Sequence, residues 1–533
     1  MEFDYIIVGA GSAGCVLANR LTESGKHSVL LLEAGPEDRN IWLHIPAGYG
    51  RLYMDPRYYW GFQTEPEAQL GGRTAVIPRG KVLGGSSAVN GLVYIRGQRE
   101  DYDEWKALGN EGWGYDDVLP YFRKSEDQQR GASTYHGVGG PQGVSDPRQH
   151  HDVCDAFIAA AEQAGHPRND DFNGAKQAGA GYYQSTAKGG WRISTATAFL
   201  KPARARSNLT VLTGALTRRI LLEGGEARGV EFQRGGVTVQ ARARREVLLC
   251  GGAIQSPQLL QLSGIGPGDL LQRHGIPVIR DMPGVGRGLR DHCNMWLSYR
   301  CTRAGTLNDY AASLFGKMKL AASFALSRSG LLSQGPGYAG LFFPTGQRGA
   351  LPDMQVHMML FSRGKTATEL HTFPGFSVSM CQIRPTSEGT VEIAGKDAAA
   401  APKIHFNYLA TDFDRRSMTE GLRRLLKVMR QPALAPYIVN AIDFDQDADS
   451  DDALMAIIRE RGGSAMHASR TCRMGTDAGA VVDARLRVRG VGRLRVIDAA
   501  AMPEVSSGNT NAPVIMMAEK GADMILEDAR AGA

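Results

Sequence analysis

Two stretches of this 533-residue chain hold the groups that could do chemistry. GGSAMHASRTCRMG (462–475) sets one imidazole, one thiol and two guanidinium groups among small residues. An imidazole titrates near ~6.5, so His467 suits proton acceptance at neutral pH. A lone loop histidine is just as readily a hydrogen-bonded structural group. Cys472 has no activating base near it in sequence and reads as structural. At the other end, FDYIIVGAGSAGCVLANRLTESGKHSVLLLEAG carries Gly9, Gly11 and Gly14, and then Glu33. The first glycine permits a tight turn, the second lets a pyrophosphate approach the backbone, and the third lets a helix pack on a strand.

The elements needed to position these groups are legible around them. Residues 5–8 read as a buried strand, Val16, Leu17 and Leu21 mark one helix face, and 28–32 read as a second buried strand. In that βαβ unit a diphosphate would sit on the helix N-terminus, with Glu33 on ribose hydroxyls. The acid argues against a 2′-phosphate and does not separate NAD from FAD. PRGKVLGGSSAVNGLVYIRG (78–97) is rich in glycine and hydroxyls, yet Val82, Leu83, Val89, Leu92, Val93 and Ile95 argue for burial against a large ligand. LLCGGAIQSPQLLQLSGIGP (248–267) reads as a second strand–turn–helix element of the same sheet. DMQVHMMLF (353–361), GFSVSMCQI (375–383) and GTVEIAG (389–395) read as strands.

Composition excludes several classes. With 43% hydrophobic and 22% charged residues the chain is globular, and a net charge of +6 over this length is mild. The run ARARRE (241–246) reads as a solvated sheet edge, and no basic stripe with interleaved aromatics suggests nucleic acid. Seven scattered cysteines form no CxxC pair, so no metal site is expected and a reducing cytoplasm is the simplest location. The acidic start MEFDYIIVGAG is not a secretory leader, and no apolar run approaches the ~18 residues of a spanning helix. Amphipathic docking leaves a weak signature, so peripheral membrane contact stays open.

In order along the chain, these blocks resemble the glucose-methanol-choline oxidoreductases, flavoenzymes that oxidise alcohols with FAD. Gly80 to Tyr94 is similar to that family's first signature and Gly252 to Gly266 to its second; HASRTCRMG and DAAAMPEVSSGNTNAPVIMMAEKGADMI are similar to its C-terminal end. RGKVLGGSSAVNGLVYIRGQREDYDEW resembles the choline-dehydrogenase-like and alcohol dehydrogenase branch. The resemblance implies an α/β (α+β overall) fold: a Rossmann-type FAD-binding domain (1–155, 195–298 and 463–533) interwoven with an antiparallel-sheet substrate domain (156–194 and 299–462). It assigns flavin contacts to Gly9, Gly11, Ser12, Ala13, Gly14, Glu33 and Ala34, and in the first signature to Gly84, Gly85, Ser86, Asn90, Gly91 and Val93. Leu216 falls near the adenine, Asp498 and Ala499 near the ribityl and pyrophosphate, Asn511 and Pro513 beside the isoalloxazine. His467 then matches the base that takes the hydroxyl proton as a hydride leaves carbon for flavin N5, and Asn509 its partner. His357 and Met466 are candidates for the substrate wall.

Some relatives bind FAD covalently through a histidine; here Val89 stands at that place, so a non-covalent flavin is expected. Ala468 replaces a commoner proline and Gly288 a commoner asparagine. No carboxylate stands out for choline's trimethylammonium, and YAGLFFPTG and VHMMLF suit an adaptable apolar pocket. The expectation is oxidation of a primary alcohol to its aldehyde, with electrons passed to a quinone-like acceptor or oxygen. An oxidase, a non-redox cyanohydrin lyase on the same fold, and a nucleotide-binding protein without catalysis are the alternatives.

Overall fold

Alternation and buried runs explain two sheets, and these decide where the chemistry lies. The structure, a computed structural model, describes residues 1–302, 305–364 and 369–531. Strand Glu2–Val8 is buried from Tyr5 onward and Val29–Leu32 throughout, as parallel strands covered on both faces must be. They pair in parallel, with helix Ser12–Thr22 as the crossover, and Leu209–Leu212 adds a third parallel strand beyond Val29–Leu32.

On the other side of Glu2–Val8 lies the 13-residue strand Val237–Leu249. Its first half joins an antiparallel meander with Glu226–Arg234 and Ala215–Glu223, and its last three residues pair in parallel with Leu494–Val496. The run ARARRE is therefore not at a sheet edge. It lies inside a strand paired on both sides, and alternation alone sends Arg242 and Arg244 to solvent while Ala241 and Ala243 are buried. Helix Gly252–Leu262 follows this strand directly, making the second strand–turn–helix element.

The second sheet is antiparallel, in the order Ile438–Ile442, Cys293–Cys301, Gly375–Gln382, Met354–Met359, Ala339–Phe343, Gly179–Tyr182, with Gly462–Ser464 also on Cys293–Cys301. Cys293–Cys301 and Gly462–Ser464 run across positions 298 and 462, so the two units exchange chain within strands. Gly389–Glu392 forms as a strand but joins a separate three-stranded sheet with Arg287–Leu289 and Lys403–His405. The last helix, Asn511–Ala531, packs along Ser12–Thr22, where buried Glu519 bonds Arg20 at 2.7 Å. Its first residue sits where the two units meet.

Candidate active site

A cavity of about 1180 Å³ runs from the glycine turn after the first strand to His467. It exceeds the ~300–1,000 Å³ of ordinary ligand pockets, so a dinucleotide and a second small molecule fit together. The glycines at its closed end have separate reasons. Gly9 has φ +101°, and a Cβ there would lie 2.5 Å from the Cys250 carbonyl oxygen. A Cβ at Gly14 would lie 1.9 Å from the Gly9 carbonyl oxygen, so its bareness lets the helix close on the strand. At Gly11 a Cβ would meet no protein atom nearer than 3.9 Å, and the residue lines the cavity. Gly9 and Gly14 answer to the protein; Gly11 answers to a ligand.

The first signature locks onto this turn. Gly84 N donates to Ala10 O at 2.8 Å, and a Cβ on Gly85 would meet Gly11 Cα at 2.6 Å. Glu33, 6% exposed, accepts from Ala10 N at 3.0 Å and Gly35 N at 2.8 Å. Burial pushes its carboxyl up to about 7 against the pull of those amides. Asp498 accepts from Gly252 N at 2.8 Å, Ser256 Oγ at 2.6 Å and Ala500 N at 2.7 Å, tying the second glycine turn to the C-terminal segment. Ser12 Oγ donates to Asn511 Oδ1 at 2.7 Å and so joins the first and last helices at the cavity.

Ala13, Ala34, Ser86, Asn90, Gly91, Val93, Leu216 and Ala499 stand on the wall. Gly14, Gly84 and Pro513 do not: Gly14 packs backbone on backbone, Gly84 lies against the Ala88, Ser194 and Ala196 side chains, and Pro513 is buried in the first turn of the last helix. The bare Gly11 face, the buried Glu33 and the length of the cavity fit a flavin dinucleotide. Val89 also lines the cavity and offers no nucleophile for a covalent link.

At the His467 end four segments converge. Asn509 Nδ2 lies 3.2 Å from His467 Nε2, and His292 Nδ1 lies 2.9 Å from His467 Nδ1. The Asn509 amide is oriented by Gln355, whose Nε2 donates to Asn509 Oδ1 at 3.1 Å. Asn509 therefore donates to His467 Nε2, which leaves the proton of His467 on Nδ1, donated to His292. Burial first, then the neighbouring His292 and His357 imidazoles and the Arg79 guanidinium, which all disfavour a further positive charge, hold His467 well below the usual histidine value. Burial likewise lowers His292 to about 3 and His357 to about 4. The site thus presents a neutral imidazole on the cavity wall whose Nε2 lone pair, the proton-accepting position, is engaged by the Asn509 amide.

Backbone pins hold that imidazole. Asp291 accepts from His467 N at 2.7 Å and from Tyr408 Oη at 2.6 Å, and also from Ser464 Oγ. Met466 takes φ +69° and is held by Arg79, which donates to its carbonyl at 2.7 Å. Such non-glycine φ values persist only where surroundings fix them. Met466 and His357 both line the cavity, and His357 Nε2 lies 3.2 Å from Gln355 Nε2. Ala468 is buried behind the base, and Gly288 has φ +69° with no room for a Cβ beside Arg470. Cys472 is fully buried, and burial keeps its thiol protonated. Sequence reasoning missed Asp291, His292, Gln355 and Arg79. The Asp-His pair of GVGRGLRDH was the one readable signal, since neither charge nor imidazole belongs unpaired at the start of a buried strand.

A dinucleotide turn on a parallel sheet, facing an antiparallel sheet across a shared cavity, is the architecture of a nucleotide-dependent oxidoreductase. The chain belongs to the GMC oxidoreductase family: its N-terminal model matches residues 3–294 and its C-terminal model residues 385–518. It is 42% identical over 531 residues to the oxygen-dependent choline dehydrogenase of Photobacterium profundum, covering 98% of this chain and 93% of that one. Among solved structures, pyridoxine 4-oxidase from Mesorbium loti has a TM-score of 0.89 at 30% identity, with 98% of each chain covered. A formate oxidase of Aspergillus oryzae has a TM-score of 0.92 at 25% identity, with 99% of each chain covered. The chain is an FAD-dependent oxidoreductase acting on CH–OH groups.

Proposed function

We propose that the protein oxidises a primary alcohol to its aldehyde with His467 as the base, and that residues 1–155, 195–298 and 463–533 hold the FAD. The observation that carries this is the His467–Asn509 pair, two converging nitrogens 3.2 Å apart on the cavity wall. A hydroxyl seated between them donates its proton to His467 Nε2 and accepts from Asn509 Nδ2. His292 takes the Nδ1 proton's hydrogen bond, so the ring keeps its lone pair aimed at the alcohol and its new charge is shared on protonation. FAD, when bound, supplies the two-electron oxidant. Positioning of the carbinol carbon by these two nitrogens is a large part of such a rate.

The test is anaerobic mixing of the yellow protein with neutral, acidic and cationic alcohols while following the flavin band. Bleaching by an alcohol, with one aldehyde formed per flavin, is the expected result. A yellow protein that no alcohol bleaches and that cleaves cyanohydrins would overturn it.

For the electron acceptor we propose a membrane quinone. Helix Leu314–Ser327 leaves Leu314, Phe315 and Leu326 at 76%, 76% and 88% exposure, and residues 311–330 contain no acid but Lys317, Lys319 and Arg328. An exposed apolar helix with only basic charges suits an anionic bilayer surface. Leu331 and Leu332, just beyond it, line the cavity. No helix among the described residues is long and apolar enough to cross a membrane. Co-sedimentation with phosphatidylglycerol vesicles, lost in a Phe315→Ser, Leu326→Ser variant, is the expected outcome; equal binding by that variant would sink it. Seven buried cysteines suit the cytoplasmic face.

A further inference from the structure

The antiparallel sheet roofs the cavity with a row of side chains that leads away from the base. Trp296 is opposite Ser379, and Ser379 opposite His357, across three neighbouring strands. Directly opposed residues share a face, and all three line the cavity. With strands ~4.8 Å apart, Trp296 stands about 10 Å along the roof from His357. There the Arg363 guanidinium lies over the Trp296 indole, 3.9 Å from the ring centroid. Tyr49 and Tyr53 are its electrostatic neighbours and also line the cavity.

The charge on this wall is one-sided. Among the described residues the only carboxylates lining the cavity are Glu33 and Asp498, both bound to backbone amides at the dinucleotide end. Arg51, Arg73, Arg79, Arg363 and Arg461 line the same cavity. No ion pair joins Arg363 to an acid among the described residues, and none of the remaining residues is acidic. A quaternary ammonium would find no carboxylate at this part of the wall, and the Trp296 face is already covered by a guanidinium. A guanidinium stacked by its face keeps its edge N–H groups available for a planar, two-oxygen partner.

We propose that Arg363, stacked on Trp296 and flanked by the Tyr49 and Tyr53 phenols, is a subsite for a carboxylate that the alcohol substrate carries at the end remote from its carbinol carbon. This rests on the reading of His467 and Asn509 as the alcohol-oxidising pair. It sets the chain apart in substrate class from relatives named for choline.

The experiment compares benzyl alcohol, 4-(hydroxymethyl)benzoate and choline as reductants of the holoenzyme flavin under anaerobic conditions, in the native protein and in Arg363→Gln. Charge-assisted hydrogen bonds of this kind correspond to roughly 10- to 150-fold in binding. The native protein is expected to favour 4-(hydroxymethyl)benzoate over benzyl alcohol by at least ~10-fold, through the dissociation constant and not the limiting rate. Arg363→Gln is expected to bring that ratio to within about threefold of unity, and Arg363→Lys to keep part of it. Flavin content reports that each variant is folded. A native preference for choline, or an undiminished ratio in Arg363→Gln, would overturn the subsite. Binding of benzoate, read as a perturbation of the flavin spectrum, separates the two readings. If no alcohol bleaches the flavin yet benzoate binds only when Arg363 is present, the alcohol reading falls and the anion site stands; benzoate binding indifferent to Arg363 removes the site itself.

Discussion

The two ends of the cavity are built on different principles. At the dinucleotide end, the close contacts are backbone on backbone: Gly9, Gly14 and Gly85 bring main chains within distances a single Cβ would forbid. At the other end the groups that meet are side chains: His292, Gln355, His467 and Asn509 arrive from separate segments to form one hydrogen-bonded chain. A site made of main chain tolerates no added atom, whereas a site made of side chains tolerates substitution and loses function by degrees.

Gly11→Val breaks this contrast most severely. The protein around Gly11 has space for a side chain, so the variant is expected to fold and yet purify colourless, with flavin content the measurement. Gly14→Ala, with its Cβ 1.9 Å from a carbonyl oxygen, is expected to give no folded protein under the same expression. A yellow Gly11→Val would mean that the pyrophosphate lies elsewhere.

Next in size is His467→Ala, which should keep its FAD and lose ~100- to 10,000-fold in the rate of flavin reduction by alcohol. A loss of only about threefold would return His467 to the role of a structural histidine. Smaller still, His292→Ala should cost about tenfold in the same rate, the size of one lost buried hydrogen bond, with flavin content unchanged. His292 acts through His467 as a positioning residue, so a second readout separates this from a packing defect. Its ring helps to bury His467, and burial depresses the base, so removing it should move the acid limb of the pH profile upward.

The subtlest expectation is that pH profile itself. Protonation occupies His467 Nε2, so flavin reduction is lost as pH falls through the histidine's value in the folded protein. Burial holds that value well below 6.5, so kcat/KM for flavin reduction should stay level from alkaline pH down to 6.5 and fall only below it. A limb centred above 6.5 would show that the bound flavin and substrate reverse the desolvation.

The expected fold was legible because its signals are local. Buried strand, glycine turn and crossover helix follow one another within the first 33 residues, and the second strand–turn–helix element lies in one 20-residue block. Where the reading failed, long-range pairing was responsible. ARARRE looks like an edge until two strands from elsewhere flank it, and GTVEIAG is a strand whichever sheet recruits it. His467 and Asn509 were legible only through the resemblance, since spacing cannot tell a base from a loop histidine.

By itself, then, the sequence determined the dinucleotide end, where a glycine's missing Cβ is a property of the residue and its neighbours. Only the tertiary structure decided the catalytic end. His292 meets His467 across 175 positions and Gln355 meets Asn509 across 154. Whether an imidazole is a base depends on burial and on which partner holds its other nitrogen. The charge of the substrate wall was decided the same way, because Arg363 becomes a recognition group only when the sheet sets Trp296 beneath it and no acid among the described residues forms an ion pair with it.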